Sequence, residues 1–277
     1  MDAPGGGVGR IARAVIVAVA VLAATAASLS GPMIARASTQ DAAEHELLGL
    51  INDARAARGL IAVRPDSRLT AIARARSADM ARYHYFGHRQ PDGRTVFDIL
   101  DASPITWYGA GEVLAWDTGY PSIDASAAAA RDGWLASASH REVILSRDYN
   151  YVGFGYVLDG STGKRLWTGV FMRGPDRTGG WVRLQPTLEL SAAGTLNRRY
   201  RIDWTGGDIP LSALTAGLDR YQLQLRADDT SWHWWTTGTT VTYRDLVVWR
   251  GHWYDVRVRA CDRRGNCGAW RSVRVGG

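Results

Sequence analysis

The feature that most limits this chain is a change in hydrophobic period near Gly174. Upstream, apolar residues recur at helical spacing. Residues 43–58, AEHELLGLINDARAAR, place Leu47, Leu50, Ile51 and Ala54 on one helical face, and Gly59 ends the run. Pro65-Asp66 opens a second helix, expected to reach about Tyr83 with Leu69, Ile72, Ala73, Ala75, Ala78 and Met80 on its buried side. Val96 to Leu100 reads as a short helix, Gly109 to Leu114 as a glycine-rich lead into an extended piece, and Ser122 to Ala136 as a third long helix. Tyr151 to Leu158 and Leu166 to Phe171 alternate like paired strands around the turn Asp159-Gly160-Ser161-Thr162-Gly163. Helices followed by a strand pair predict a mixed α+β layered domain.

Downstream the period is two. After a linker containing Pro175, Gly179 and Gly180, seven runs read as strands: Leu188–Leu190, Tyr200–Trp204, Tyr221–Arg226, Trp232–Thr236, Thr240–Leu246, Trp253–Ala260 and Trp270–Val275. Short strands closely punctuated by turn residues are the pattern of a β-sandwich. The 277 residues suit two cores of roughly 100–150 residues better than one.

The first 37 residues stand apart. Arg10 and Arg13 precede an apolar run from Ala14 to Leu29, and Ala35-Arg36-Ala37 places small residues before Ser38. This is the layout of a secretory signal peptide. The run is short for a membrane span of about 20 residues, so cleavage is favoured over an uncleaved anchor, with no transmembrane span left afterwards. The organisation expected is signal peptide 1–37, first domain 40–174 and second domain 183–277, in a secreted or cell-surface protein.

The formal net charge of +6 invites a nucleic-acid reading. Residues 1–37 carry +2, residues 38–182 hold 16 basic and 17 acidic groups, and residues 183–277 hold 14 and 9. The excess therefore lies in the strand-rich half, where Arg257 and Arg259 alternate with apolar residues as on solvated strand faces. No nucleic-acid partner is expected. Cys261 and Cys267 bracket the turn Asp-Arg-Arg-Gly-Asn. In an exported chain such a pair reads as a disulfide across a hairpin, with free thiols the alternative that spacing leaves open.

Three polar residues sit in small-residue or turn contexts: His88 in YFGHRQPDG, Glu112 in GAGEVLA and His140 in WLASASHREVIL. Each has a plain structural reading, as a loop or cap residue or, for His140, packed on Trp134. Ser137 and Ser139 lie near His140 without a nucleophile elbow. His45 and His84 read as exposed helix residues.

Together the motifs, in this order over about residues 43–173, resemble the bacterial branch of the CAP superfamily (SCP-like extracellular domains). FGHRQPDGRT resembles its first histidine motif, GAGEVLA its Gly-Glu-Asn motif, GWLASASHREVIL its second histidine motif and YVGFGYV its first closing strand. Val113 and Val143 stand where the family carries asparagine. The resemblance implies a three-layer α/β/α sandwich with a cleft lined by His88, Glu112 and His140. It also implies that these three can hold a divalent cation such as zinc, since two imidazoles and a carboxylate supply three ligands.

The second half is similar to fibronectin type III modules, immunoglobulin-like all-β sandwiches. RYRIDWTGGD resembles an early core strand bearing Trp204, and YDVRVRACDRRGNCGAWRSVRV the last two strands. Trp232, Trp234 and Trp235 are expected mainly to cover the sandwich core. The function expected is binding outside the cytoplasm of a lipid, a cell-wall component or a protein partner. A metal-dependent hydrolase with Glu112 as general base, or adhesion through the β-sandwich, are the alternatives.

Overall fold

The computed structural model describes residues 40–190 and 196–276; the expected signal peptide, residues 1–37, lies outside them. The first half contains α1 (40–56), β1 (Arg64–Pro65), α2 (Ser67–Arg82), α3 (Val96–Asp101), β2 (Gly109–Asp117), α4 (Ile123–Ala136), α5 (Ala138–Ile144), β3 (Tyr151–Leu158) and β4 (Arg165–Arg173). The helix starts follow local chemistry. The Asp66 side chain accepts the Arg68 N–H (3.0 Å), and Ser122 Oγ accepts that of Ala125 (3.1 Å). Each supplies one of the acceptors that a helix N-terminus lacks. Gly59 ends α1 at φ +66°, the left-handed region glycine enters without a Cβ penalty.

The four strands order as β1-β3-β4-β2, antiparallel except β1 with β3. Alternation along them separates two sets of side chains. Val152, Phe154, Tyr156, Trp167 and Phe171 pack with Leu47 and Ile51 of α1 and Trp134 of α4. Tyr151, Val170 and Met172 pack with Leu69 and Ala73 of α2 and Leu100 of α3. Helices thus lie on both faces of the sheet.

The buried side of α2 differs from the expected one. Leu69, Ala73, Arg76, Ser77 and Met80 are buried, whereas Ala75 and Ala78 are exposed. Positions seven and eight after Leu69 belong to its helical face, so the arginine and serine occupy the core side. Ser77 Oγ donates to the Gly155 carbonyl (2.9 Å) and meets Thr168 Oγ1 (2.9 Å). His84 is not helical as expected but follows the helix end at φ +53°.

The second half contains β5 (Trp181–Leu184), β6 (Leu188–Glu189), β7 (Asn197–Gly207), β8 (Leu218–Ala227), β9 (His233–Thr239), β10 (Tyr243–Trp249), β11 (Trp253–Asp262) and β12 (Arg271–Gly276). They form two four-stranded antiparallel sheets, β10-β7-β5 with β6 beside β7, and β12-β11-β8-β9. One apolar cluster joins them, including Ile202, Trp204, Leu223, Val248, Val256 and Val258. β5 is not among the strands expected from the sequence and pairs with β7. Cys261 and Cys267 are joined as a disulfide. Of the three clustered tryptophans only Trp235 packs on the core; Trp234 is half exposed. The strand alternates, so neighbouring rings cannot share a face.

The two halves are tied through the β7–β8 connection. Leu211 is buried among Leu69, Val96 and Leu100. The Asn150 side chain donates to the Gly174 and Ala213 carbonyls (2.8 and 3.0 Å) and accepts the Gly174 N–H (2.9 Å). Asp176 accepts the N–H groups of Thr178 (2.9 Å) and Ala216 (2.8 Å).

Candidate functional site

β2 is an edge strand of the first sheet and carries Glu112. Its carboxylate is buried, and both oxygens are engaged. Arg76 Nε of α2 donates to Oε1 (2.9 Å), and Oε2 meets His88 Nδ1 (2.8 Å). Arg76 is fully buried and does more than pair. Its Nη1 donates to Tyr85 Oη (2.6 Å), and its Nη2 to the carbonyls of Gly87 (2.8 Å) and His88 (3.2 Å). Tyr85 Oη donates onward to Asp79 Oδ2 (2.6 Å), which also accepts Gln90 Nε2 (3.0 Å). Arg76 and Asp79, one helical turn apart on α2, therefore hold the 85–90 loop by backbone and side chain. That loop presents His88, more than half exposed.

His140 reaches the same place from α5. Arg141 Nη1 donates to the last carbonyls of α4, those of Leu135 (2.8 Å) and Ala136 (3.3 Å), which fixes the α4–α5 corner. The His88 and His140 rings face each other with centroids 6.4 Å apart and planes inclined at 54°. His88 thus lies next to both Glu112 and His140. Ser137 and Ser139 pair with each other (3.2 Å).

The two valines in the family's asparagine places pack as apolar groups. Val113 is fully buried in the core, and Val143 lies so close to Gly111 that a Cβ there would stand 2.9 Å from its Cγ1. Arg76, Tyr85, Asp79 and Arg141 were not legible as site residues. An arginine on the apolar face of a predicted helix, seven residues after Leu69, is the signal that would have found the first.

Beside His140 lies a cleft of about 380 Å³ between β2 and α4, lined by Phe86, Leu114, Trp116, Tyr120 and Trp134. Phe86, Trp116 and Tyr120 remain 43–48% exposed, so the cleft offers aromatic surface to solvent. Lys164 Nζ lies 4.6 Å from the Trp116 ring centroid.

Burial, and secondarily the charge of His88, hold His140 below the ordinary histidine pKa. His140 is therefore neutral at physiological pH. The charged form is the disfavoured one in the folded state. The associated stability is complete above the unfolded value of about 6.5 and is lost as pH falls through the lower folded value. NMR titration of the His140 Cε1–H signal is expected to show a midpoint below the ordinary histidine value of about 6.5. In His88→Ala it should move up only part of the way, because burial is the larger cause. A His140 midpoint at or above 6.5 would mean that the ring is not packed as described.

Among the described residues one trio of metal-ligating atoms lies within 4.8 Å of one another, in Asp176, Asp208 and Asp262 at the junction of the two halves. Asp208 accepts the N–H groups of Ile209 and Gly217, and Asp262 those of Arg264 and Asn266. With Asp176 they tie three connections together, β4–β5, β7–β8 and β11–β12. His88, Glu112 and His140 do not form a comparable trio within that distance, although His88 Nδ1 lies 2.8 Å from Glu112 Oε2.

The sequence model of the family described as CAP, the Cysteine-rich secretory protein family, matches residues 48–171. Residues 48–171, within the first half of the chain, are thus similar to a CAP domain. Two relatives come from Bacillus subtilis (strain 168). Uncharacterized protein YkwD is 33% identical over 135 residues, 49% of either chain. Uncharacterized membrane protein YlbC is 32% identical over 116 residues, 42% of this chain and 32% of the relative. The match spans half or less of the length of these relatives. An extracellular protein containing an SCP domain from Bacillus anthracis has a solved structure with 28% identity. It has a TM-score of 0.41 and covers 48% of this chain and 41% of that one. No helix among the described residues is long and apolar enough to cross a membrane.

Proposed function

We propose that the protein acts outside the cytoplasm as a ligand-binding CAP-domain protein, with a three-layer α/β/α first domain and a fibronectin type III-like second. Its ligand is an amphiphile with an apolar chain. The observation that carries this reading is the aromatic cleft lined by His140, whose ring lies beside that of His88. Exposed aromatic surface of this kind gains free energy when an apolar chain displaces its water, and the paired imidazoles offer hydrogen-bond partners to a polar head. Export rests on the signal-peptide pattern of residues 1–37.

A fluorescent fatty acid titrated into the full chain is expected to bind saturably, and Trp116→Ala should weaken it by about tenfold, or ~1.4 kcal/mol. Absence of saturable binding, or an unchanged affinity in Trp116→Ala together with Tyr120→Ala, would sink the lipid reading and leave a cell-wall component or a protein as the ligand.

A second reading is favoured by the facing imidazoles. Glu112, fixed by Arg76, holds His88 through Nδ1 and leaves Nε2 for a divalent cation, in the manner of a carboxylate behind a metal-binding histidine. His140, kept neutral, is the other nitrogen donor. Glu112 would then orient a ligand and would not serve as the general base that a hydrolase needs. Zinc calorimetry is expected to give binding that is lost in both His88→Ala and His140→Ala. Zinc binding that survives either substitution would exclude this site.

A further inference from the structure

The outer face of the β12-β11-β8-β9 sheet carries a column of stacked arginine and tryptophan side chains. The Arg226 guanidinium lies 4.8 Å from the Trp232 ring, and Arg257 lies 4.1 Å from Trp232 and 4.7 Å from Trp270. Arg259 lies 4.5 Å from the same Trp270 ring. Strand register produces the column. Asp255 stands opposite Arg226 and Arg274, Arg257 opposite Gln224 and Ser272, and Arg259 opposite Gln222.

The charges on this face do not balance. Arg226 (2.8 Å) and Arg274 (2.7 Å) share the Asp255 carboxylate, and Asp229 is a second acidic group near Arg274. Arg257 and Arg259 instead donate to amide oxygens, Gln224 Oε1 (2.8 Å) and Gln222 Oε1 (2.8 Å). A neutral acceptor positions a guanidinium without cancelling its charge. Arg257 is pushed below the ordinary arginine pKa by burial and then by Arg259 and Arg226, a sign of mutual repulsion along the column. Alternate residues on a strand are about 6.8 Å apart, so the uncancelled guanidiniums form a row. Trp234 flanks the row, half exposed and 6.0 Å from Trp270.

We infer that this face binds an acidic polysaccharide, its carboxylates against the arginine column and one sugar face against Trp234. A row of cations fits a linear polyanion, and planar guanidiniums suit carboxylates. The polysaccharide fits better than a single-stranded nucleic acid, whose bases need a series of open ring faces. Here the Trp232 and Trp270 rings are already stacked against arginine, which leaves Trp234 and Trp253 as the exposed rings, short of a continuous series. The face lies on the second half and uses no residue of the His88–His140 cleft, so the two assignments stand or fall separately.

The test uses the full chain with polygalacturonate, with neutral dextran and an oligo-dT strand as comparisons. Polygalacturonate is expected to bind at low salt and to weaken as salt rises, and dextran should not bind. The double variant Arg257→Gln/Arg259→Gln should lose at least tenfold in affinity with an unchanged near-ultraviolet circular dichroism spectrum. Trp234→Ala, at a half-exposed ring, should lose several-fold and keeps the test open if the double variant does not fold. Arg94→Gln, in the first half, should change nothing. Failure of polygalacturonate to bind, or an affinity unmoved by Trp234→Ala, would overturn the proposal. Oligo-dT binding as tight as polygalacturonate and lost in the same variants would replace it with a nucleic-acid surface.

Discussion

Gly155→Ala is expected to prevent the first half from reaching its native packing, and Gly153→Ala to do the same. An added Cβ at Gly155 would stand 2.2 Å from the Ala73 carbonyl carbon and the Arg74 nitrogen, and at Gly153 2.1 Å from the Leu69 carbonyl carbon and the Thr70 nitrogen. These are backbone atoms of α2 and cannot rotate aside, so α2 as a whole must lift off β3. That separation would break the Ser77–Gly155 hydrogen bond and open the contacts of Leu69 and Ala73 with the sheet. Overpacking that displaces a whole element belongs to the exceptional class of substitutions, above about 4 kcal/mol. Thermal denaturation followed by circular dichroism measures it. Gly160→Ala, where nothing lies within 4 Å, serves as the control and should fall within about 0.5 kcal/mol of the parent. A Gly155→Ala chain that melts like the parent would show that α2 does not lie on β3 as described.

The second large effect is expected at Arg55. Its side chain is fully buried and meets carbonyl and hydroxyl oxygens in place of a carboxylate. Nη1 donates to the carbonyls of Ile144 (2.6 Å) and Ser146 (2.9 Å), Nε and Nη2 to that of Ile61 (3.1 and 2.9 Å), and Nη2 to Ser212 Oγ (3.1 Å). Burial brings its pKa down to about 10, so it remains a cation at neutral pH. One guanidinium thus joins the end of α1, the end of α5 and the β7–β8 connection. Removing it leaves three carbonyls short of a donor, each costing about 1–3 kcal/mol when buried. Arg55→Ala should lose about 3–5 kcal/mol in urea denaturation. Arg55→Lys should rescue little, because one ammonium cannot span the fork of acceptors. Ser212→Ala should cost far less, since the carbonyl contacts persist. Full rescue by lysine would refute the fork as the source of stability.

Much of the site was legible because its ingredients are local in sequence. His88, Glu112 and His140 each sit in a short motif, and the order of the motifs carried the resemblance that the CAP match over residues 48–171 supports. The supporting residues were not legible. Arg76 looks like an ordinary helix arginine until the strand carrying Glu112 and the 85–90 loop close around it. The face of α2 was misassigned for the same reason. Ala75 and Ala78 suit a core by composition, but Arg76 and Ser77 occupy it because their polar atoms find partners across the sheet.

By itself the sequence determined what depends on period and punctuation: a helix-rich α+β half, a strand-rich half, the divide near Gly174, and a cysteine pair close enough to bridge. These follow from side-chain spacing along one element, which a neighbouring segment does not alter. Only the tertiary structure decided what depends on distant segments meeting. β5 is a strand because β7 lies beside it. Trp235 turns to the core while Trp234 turns out, because the sheet has an inner and an outer side. Leu211, from the second half, completes the core of the first. The Arg226–Trp232–Arg257–Trp270–Arg259 column draws on residues up to 44 positions apart. Each of these is a pairing energy between segments, and a pattern read along one segment carries no term for it.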